Sequence, residues 1–182
     1  MILRVLFILL LFVSPIHAQS NFEFEDVKTN VPQTEEVRKS SSELLQKSLY
    51  ELIDQYHALQ QMHWNTRGPH FISIHELTEE FYTELEAQVD VIAERKLALG
   101  YPADGNPEQV SIHSGLENYT GDYSKDYEST QFLITRYSEL SERLGERIEA
   151  SGENDIVTQD VLIGLRSTID HHLYLLSSFS YK

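Results

Sequence analysis

Residues 41–65 read SSELLQKSLYELIDQYHALQQMHWN, and this stretch decides the fold. Its large apolar side chains recur at alternating steps of four and three residues, which is the period of one face of an α-helix. They are Leu45, Leu49, Leu52, Tyr56 and Leu59, and the next position in the same register is His63. The pattern predicts one long amphipathic helix. It should end at Gly68-Pro69, because glycine favours a helix end and proline favours the first turn of the next helix.

Three further helices are predicted downstream. The second spans about 70–99 and is closed by Gly100 and Pro102. The third begins near Ser124 and ends at Gly152, and the fourth begins near Asp155. The third helix should bury Leu133, Tyr137, Leu140, Leu144 and Ile148 on one face. The fourth should bury Val157, Val161, Leu165, Ile169, Leu175 and Phe179.

The connection between the second and third helices is long. Residues 101–123 are rich in Gly, Pro, Asn and Asp, with a short helix expected near 107–117. No segment alternates with a period of two for long enough to be a strand, so the chain is predicted to be all-α, a four-helix bundle. A connection of this length can run from one end of a bundle to the other. We therefore expect a long crossover between helices two and three instead of a simple up-down-up-down path.

The first forty residues are predicted to lie outside this bundle. Arg4 is followed by nine apolar residues and then by a short segment ending at Ala18, the pattern of a secretory signal peptide cleaved after residue 18. The apolar run is shorter than the roughly 20 residues that span a bilayer, so no membrane anchor is expected. Residues 19–40 are polar and lack a sustained period, which indicates a flexible tail. The predicted division is a signal peptide at 1–18, a tail at 19–40 and a helical domain at 41–182, in a protein exported to the periplasm or secreted.

The composition excludes several classes of function. The chain carries 29 acidic residues against 14 Lys and Arg, a net charge of −15. A surface field of this sign repels phosphate backbones, so DNA binding is not expected. The sequence has no cysteine, which rules out disulfides, thiolate metal sites and cysteine nucleophiles. Any metal must therefore be held by His, Asp or Glu.

A stripe of metal-ligand residues runs along the second helix. His75 and Glu79 lie four residues apart on one face, and Asp90 and Glu94 repeat that spacing further along. Acids on a helix usually form a solvated face. His63 favours a metal site instead, because it ends the buried stripe of the first helix and should point into the protein. Imidazole mixed with carboxylate suits Fe(II) or another first-row divalent ion.

Helix length limits how these residues combine. His75 and Asp90 are 15 residues apart, which at about 1.5 Å per residue separates them by about 22 Å. They cannot hold the same ion within one chain. Two arrangements remain open. Either each chain has two half-sites, or two copies of the second helix pack antiparallel about a two-fold axis and place His75 and Glu79 of one chain beside Asp90 and Glu94 of the other.

A di-iron site inside a helical bundle normally uses Glu-x-x-His pairs on two helices, and this chain has none. What it has is His63-Trp64-Asn65, Gly68-Pro69 and Phe71, then His75-Glu76-Leu77, Phe81-Tyr82 and Asp90-x-Ile92-Ala93-Glu94-Arg95. In this order and spacing the residues resemble the Dps family of mini-ferritins, the DNA-protection proteins of starved cells. Weaker motifs, Gly121-Asp122-Tyr123 and Asp170-x-x-Leu173-Tyr174-Leu175, extend the resemblance over residues 41–180.

The resemblance implies a ferritin-like fold that assembles into a hollow homododecamer. It further implies a ferroxidase that oxidises Fe(II) at a di-iron or mono-iron centre, prefers hydrogen peroxide to dioxygen, and stores ferric iron inside the cage. Such an enzyme would protect against oxidative stress. The iron ligands carried over from the family are His63, His75 and Glu79 of one chain, with Asp90 and Glu94 contributed by its two-fold partner.

The same resemblance gives expected roles to three further residues and marks one departure. Trp64 matches the family tryptophan beside the metal centre, and packing of the helix end is an equally open interpretation. Asp155 and Asp160 resemble the acidic lining of a three-fold pore through which iron enters. Glu79 departs from the usual Asp and extends that carboxylate by one methylene.

Other interpretations remain open at the level of sequence. A Dps-like cage without catalysis would act by coating DNA or as an extracellular interaction protein, although the acidic charge argues against DNA. A third possibility is a helical shell that binds another divalent metal with weak oxidation. The pair His171-His172 on the last helix is expected to serve the core or an interface instead of a metal.

Overall fold

A computed structural model of the protein describes residues 29–179. Five α-helices account for most of these residues, and one 3₁₀ turn spans Glu153–Asp155. The helices are α1 (Glu35–Asn65), α2 (Phe71–Ala98), α3 (Pro107–His113), α4 (Asp126–Ser151) and α5 (Ile156–Phe179). Two-residue strands, β1 (Thr66–Arg67) and β2 (Ser124–Lys125), pair in parallel and are too short to show a period in the sequence.

The contact between β1 and β2 fixes the path of the chain. β1 directly follows α1 and leads into α2, while β2 directly precedes α4. The end of α1 and the starts of α2 and α4 therefore lie at one end of the bundle, and α2 and α4 run in the same direction. The connection between them must cross the length of the bundle, and its short helix α3 packs on α1 along the way. This confirms the predicted crossover.

The four long helices pack as two hairpins, α1 with α2 and α4 with α5, around one apolar core. The predicted faces of α1 and α4 are confirmed, with Tyr56 and Ile148 only half-buried at their edges. The side chains buried as predicted are Leu45, Leu49, Leu52, Leu59, His63, Leu133, Tyr137, Leu140 and Leu144.

The buried face of α5 differs from the prediction. Val157 and Phe179 are 49% and 41% exposed, whereas Leu162 and Leu176, which the predicted stripe omits, are buried. Leu165 and Ile169 are buried as predicted, and Val161 and Leu175 are half-buried against the core. The prediction is wrong at Val157 and Phe179 because α5 carries apolar side chains on more than one side, so spacing alone did not select the side that meets the other helices. The observed face comprises Thr158, Leu162, Leu165, Ile169, His172 and Leu176.

The boundary of the N-terminal tail is also corrected. α1 begins at Glu35, inside the predicted tail, because the Thr34 hydroxyl accepts a hydrogen bond from the Val37 amide and two glutamates stand in the first turn. The predicted signal peptide at 1–18 lies outside the described residues. No helix among residues 29–179 combines the length and the apolar character needed to cross a membrane.

Candidate metal centre

His63 and His75 meet at the turn between α1 and α2. His63 lies in the last turn of α1 and His75 in the second turn of α2, so the helical hairpin brings their rings face to face. The ring centroids are 3.7 Å apart and the planes differ by 16°. Gly68 makes the tight turn possible: its φ is 149°, and a Cβ at this position would lie 2.4 Å from the Asp126 carboxyl carbon.

The two rings hold each other in one tautomer. The His63 Nδ1 lies 2.8 Å from the His75 carbonyl oxygen, and the His75 Nδ1 lies 3.0 Å from the His63 carbonyl oxygen. A carbonyl oxygen only accepts, so each Nδ1 carries the proton and donates it. Each Nε2 is left with a lone pair, and neither ring can turn without losing its hydrogen bond. Histidine ligands of metals are usually oriented in this way.

The stacking of the two rings determines how their Nε2 atoms can bind metal. Imidazole binds a metal in the plane of its ring, and these two planes are nearly parallel and about one ring thickness apart. The two Nε2 lone pairs therefore do not converge on a single ion. Each Nε2 is therefore a separate donor, and the two rings do not chelate one ion by themselves.

Tyr82 packs against the histidine pair and lies one helical turn after Glu79 on α2. Glu79 is exposed one turn after His75 on α2, and the Tyr82 ring packs edge-on against His63 with centroids 5.4 Å apart. Burial raises the pKa of the Tyr82 hydroxyl, and the charge of Glu79 raises that pKa further. Tyr82 therefore stays protonated beside His63, with Glu79 one helical turn before it on α2.

Asp90 and Glu94 lie elsewhere on the chain. Both are exposed on α2, and the 15 residues from His75 to Asp90 place them about 22 Å from the histidine pair. Within residues 29–179, no three His, Asp or Glu side chains converge closely enough to hold a metal ion. The single chain thus brings His63 and His75 together with Glu79 nearby, and leaves the two downstream acids apart.

Trp64 follows His63 but faces solvent. The residue is 54% exposed, and its carbonyl oxygen accepts a hydrogen bond from the Arg67 guanidinium at 2.9 Å. Within one chain its ring therefore does little to pack the helix end. A role for Trp64 beside the metal centre stays a prediction.

Asp155 is buried, so the prediction that it lines a pore is wrong. Its side chain is 0% exposed and accepts hydrogen bonds from the Arg95 guanidinium at 2.9 Å and from the Thr158 amide and hydroxyl at 3.2 and 2.6 Å. Asp155 caps the first turn of α5 and links that helix to α2. Burial by itself would raise the pKa of Asp155, but the hydrogen bonds and the charge of Arg95 together lower it. Asp160 is exposed, and its place in a pore stays a prediction.

Replacing Asp155 with Asn should destabilise the protein in a pH-dependent way. The pKa of Asp155 in the folded protein lies below that of an unfolded Asp, so its stabilising effect is present above about pH 4 and is lost as the pH falls through the folded-state pKa. We expect Asp155→Asn to lower the free energy of unfolding by about 1–3 kcal/mol at pH 7. The difference in the free energy of unfolding between wild type and Asp155→Asn should become smaller below about pH 4.

Urea unfolding followed by circular dichroism at pH 7 and at about pH 3 measures both effects. The matched control is Asp160→Asn, an exposed carboxylate on the same helix, which should change the free energy of unfolding by less than about 0.5 kcal/mol. A destabilisation by Asp155→Asn that is equal at both pH values would contradict the assigned ion pair.

His172 lies in the core, and both of its nitrogens are engaged. The Nδ1 is 2.9 Å from the Tyr137 hydroxyl and the Nε2 is 2.8 Å from a Glu84 carboxylate oxygen. The ring stacks on Phe81 with centroids 3.8 Å apart and planes 9° from parallel. The sequence did not predict Glu84 as its partner, because the two residues are 88 positions apart and Glu84 resembles the other exposed acids of α2.

Comparison with known proteins places this geometry in a family. The chain matches a family model described as a ferritin-like domain over residues 42–180. It is 35% identical over 136 residues to the DNA protection during starvation protein of Agrobacterium fabrum, a match that covers 74% of this chain and 84% of that protein. It is 30% identical to DNA protection during starvation protein 2 of Bacillus anthracis, over 79% of this chain and 98% of that protein. The crystal structure of Dps92 from Deinococcus radiodurans superposes with a TM-score of 0.78 at 27% identity, over 79% of this chain and 87% of that chain.

The bundle and the match over residues 42–180 define a ferritin-like protein. Within that class, the identities to the curated relatives show that the chain belongs to the Dps family. The resemblance found in the His63 to Arg95 motifs is thereby confirmed. Membership of this family suggests iron storage and protection of DNA as the general functions.

Proposed function

We propose that this protein is an exported ferroxidase that oxidises Fe(II) with hydrogen peroxide and stores the ferric product in a cage built from its own copies. One observation carries the proposal. The Nδ1 atoms of His63 and His75 are both held by backbone carbonyls, which leaves a lone pair on each Nε2 for iron. The orientation of both rings is fixed before any iron arrives, as a binding site requires.

A partner subunit would complete the site. Two copies of α2 packed antiparallel about a two-fold axis would bring Asp90 and Glu94 of one chain to the histidine pair of the other. The histidine half offers two imidazoles and one carboxylate, Glu79, while the acidic half offers two exposed carboxylates. The two halves are chemically complementary, and the combined donor set suits Fe(II).

Two-electron chemistry explains the use of peroxide. Reduction of one hydrogen peroxide molecule to water takes two electrons, and two Fe(II) ions supply one each. If both ions are oxidised together, no hydroxyl radical is released. The contribution of His63 and His75 is to hold the two ions side by side, one on each Nε2.

The proposed assembly is a hollow dodecamer located outside the cytoplasm. Each chain from Gln19 lacks Arg4 and carries 13 basic residues against 29 acidic ones, a net charge of −16, so a cage of such chains has a surface that attracts ferrous ions. The signal-peptide pattern at 1–18 supports a location in the periplasm or the exterior, where the protein would limit the oxidative stress that iron and peroxide cause together. Mass spectrometry of the exported protein should give a chain that begins at Gln19.

A cage without catalysis is the second candidate. The curated relatives are named for DNA protection, and a cage that coats DNA or binds an extracellular partner needs no ferroxidase site. The charge argues against the DNA version, because 29 acidic residues against 14 basic ones repel phosphates. Retardation of DNA in a gel-shift assay at low salt would support this alternative.

Stopped-flow oxidation of Fe(II) by stoichiometric hydrogen peroxide tests the proposal, with the chain from Gln19. The wild type should oxidise Fe(II) well above the protein-free rate. The double variant Asp90→Ala/Glu94→Ala should not, since its site lacks the two carboxylates of the partner. The matched control is Glu142→Ala/Glu146→Ala, which removes two exposed acids at the same spacing on α4 and should behave like wild type. If wild type, test variant and control all match the protein-free rate while their cages are intact, the ferroxidase proposal is wrong.

A further inference from the structure

The fully buried Tyr137 of α4 belongs to a hydrogen-bonded series that no step of the proposed iron oxidation uses. Its hydroxyl contacts the His172 Nδ1 at 2.9 Å, and the His172 Nε2 contacts Glu84 at 2.8 Å. Tyr137 and His172 are both 0% exposed, while the Glu84 side chain is 46% exposed. The series therefore runs from the middle of the core to the surface of α2.

The direction of each hydrogen bond follows from the acceptors. A carboxylate only accepts, so the His172 Nε2 carries the proton and donates it to Glu84. The His172 Nδ1 then has a lone pair and accepts the proton of the Tyr137 hydroxyl. Burial lowers the pKa of His172 and raises that of Tyr137, so the resting state is a neutral imidazole beside a protonated phenol.

We infer that Tyr137, His172 and Glu84 form a redox site, in which Tyr137 gives up an electron while its proton moves to His172. A phenol in the core cannot lose an electron alone, because the product would be a buried cation. Here the proton has an acceptor 2.9 Å away, and the positive charge that develops on His172 is balanced by Glu84. The core residue left behind is a neutral tyrosyl radical.

Two consecutive residues of α2 contact this site and the histidine pair. Phe81 stacks on His172 and packs edge-on against Tyr137, with centroids 6.0 Å apart. The next residue in the chain, Tyr82, packs against His63. Phe81 and Tyr82 are consecutive residues of α2, so the backbone joins the residue that contacts Tyr137 to the residue that contacts His63.

The oxidant that this site would consume is the hydroxyl radical, so the inference rests on the proposed function. A single Fe(II) that gives one electron to hydrogen peroxide becomes Fe(III) and releases hydroxide and a hydroxyl radical. Tyr137 would give that radical one electron, forming a second hydroxide, and its own proton would pass to His172. A further Fe(II) then returns an electron to Tyr137, and His172 returns the proton. The balance is one hydroxyl radical and one Fe(II) converted to hydroxide and Fe(III).

The first experiment uses no iron, so it does not depend on ferroxidase activity. Photogenerated tris(bipyridine)ruthenium(III) oxidises the assembled protein from Gln19, and electron paramagnetic resonance of frozen samples detects the radical. Wild type should give a long-lived neutral tyrosyl signal that Tyr137→Phe loses. The matched control is Tyr174→Phe, a 66% exposed tyrosine on α5, which should retain the signal. An equal signal in Tyr137→Phe and wild type overturns the proposal.

The proton acceptor is tested separately. His172→Phe keeps a ring to stack on Phe81 but has no acceptor, and it should lose most of the long-lived signal although Tyr137 is present. Glu84→Gln, a change at a half-exposed side chain, should reduce the yield and leave the circular dichroism spectrum unchanged. Formation of the radical should be slower in D₂O. If neither variant nor D₂O changes the signal, Tyr137 is oxidised without His172 and the proposed site is wrong.

The second experiment tests the consumption of hydroxyl radical. With Fe(II) and hydrogen peroxide, spin trapping should detect more hydroxyl radical from Tyr137→Phe than from wild type or Tyr174→Phe. Stopped-flow rates should be the same in all three proteins, because none of these residues belongs to the iron site. Equal trapping in all three would overturn the radical-consuming role, whereas loss of iron oxidation in wild type itself would overturn the proposed function instead.

Discussion

Two inactive variants are expected to recover about a quarter of the wild-type ferroxidase activity when their subunits assemble together in equal amounts. One is His63→Ala and the other is Asp90→Ala/Glu94→Ala. In a mixed pair, one of the two sites combines both defects, but the other combines the intact histidine half of one subunit with the intact acids of its partner. Half of the pairs are mixed and half of the sites in each mixed pair are intact.

The measurement is stopped-flow oxidation of Fe(II) by hydrogen peroxide after co-expression, with native mass spectrometry to confirm that hybrid cages form. The matched control co-assembles His63→Ala with His75→Ala. Both defects then lie in the same half of the site, so every site in a mixed pair is damaged and activity should stay absent. Hybrid cages of the first mixture that remain inactive would rule out a site shared across the two-fold axis.

The residues of this shared site could be found from the sequence because helical spacing carries the information. The stripe of α1 predicts that His63 faces inward, and His63 is 8% exposed. The spacing on α2 predicts that Asp90 and Glu94 lie too far from His75 to share an ion with it, and they are apart in the fold. Both predictions can be derived from the pitch of a helix and the positions of the residues along it.

The stacking of His63 on His75 could not be predicted in the same way. It depends on the turn at Gly68, where the Asp126 carboxylate from the start of α4 fills the space beside the backbone. That contact joins residues 58 positions apart in sequence, as the contact of Glu84 with His172 joins residues 88 positions apart. Spacing within one helix says nothing about either contact.

Asp155 shows a second limit of sequence patterns. An Asp at the start of a helix serves equally as a cap or as an exposed acid, and the sequence does not distinguish the two. Asp155 is a buried cap because the Arg95 guanidinium, from the last turn of α2, forms an ion pair with its carboxylate. The pore prediction for Asp155 fails for that reason.

The largest loss of stability is expected from Glu51→Ala. Glu51 lies on the inner side of α1, is 3% exposed, and accepts hydrogen bonds from Arg147 and Arg143 of α4. Removal of its carboxylate leaves the Arg147 guanidinium buried without a counter-charge. We expect the free energy of unfolding to fall by about 3–5 kcal/mol, the range for breaking a buried ion pair from one side. Urea unfolding at one fixed protein concentration measures it, since assembly contributes to the apparent stability.

The control is Glu139→Ala, because Glu139 pairs with Arg143, one of the two arginines that bind Glu51. The Glu139 side chain is 37% exposed and one helical turn from Arg143, so Glu139→Ala should cost less than about 1 kcal/mol. If burial of the unpaired charge causes the loss, Glu51→Ala/Arg147→Ala should be more stable than the sum of the two single losses predicts. Strictly additive losses in this cycle would mean that Glu51 and Arg147 stabilise the bundle independently, by packing, and that the ion pair between α1 and α4 has no coupling of its own.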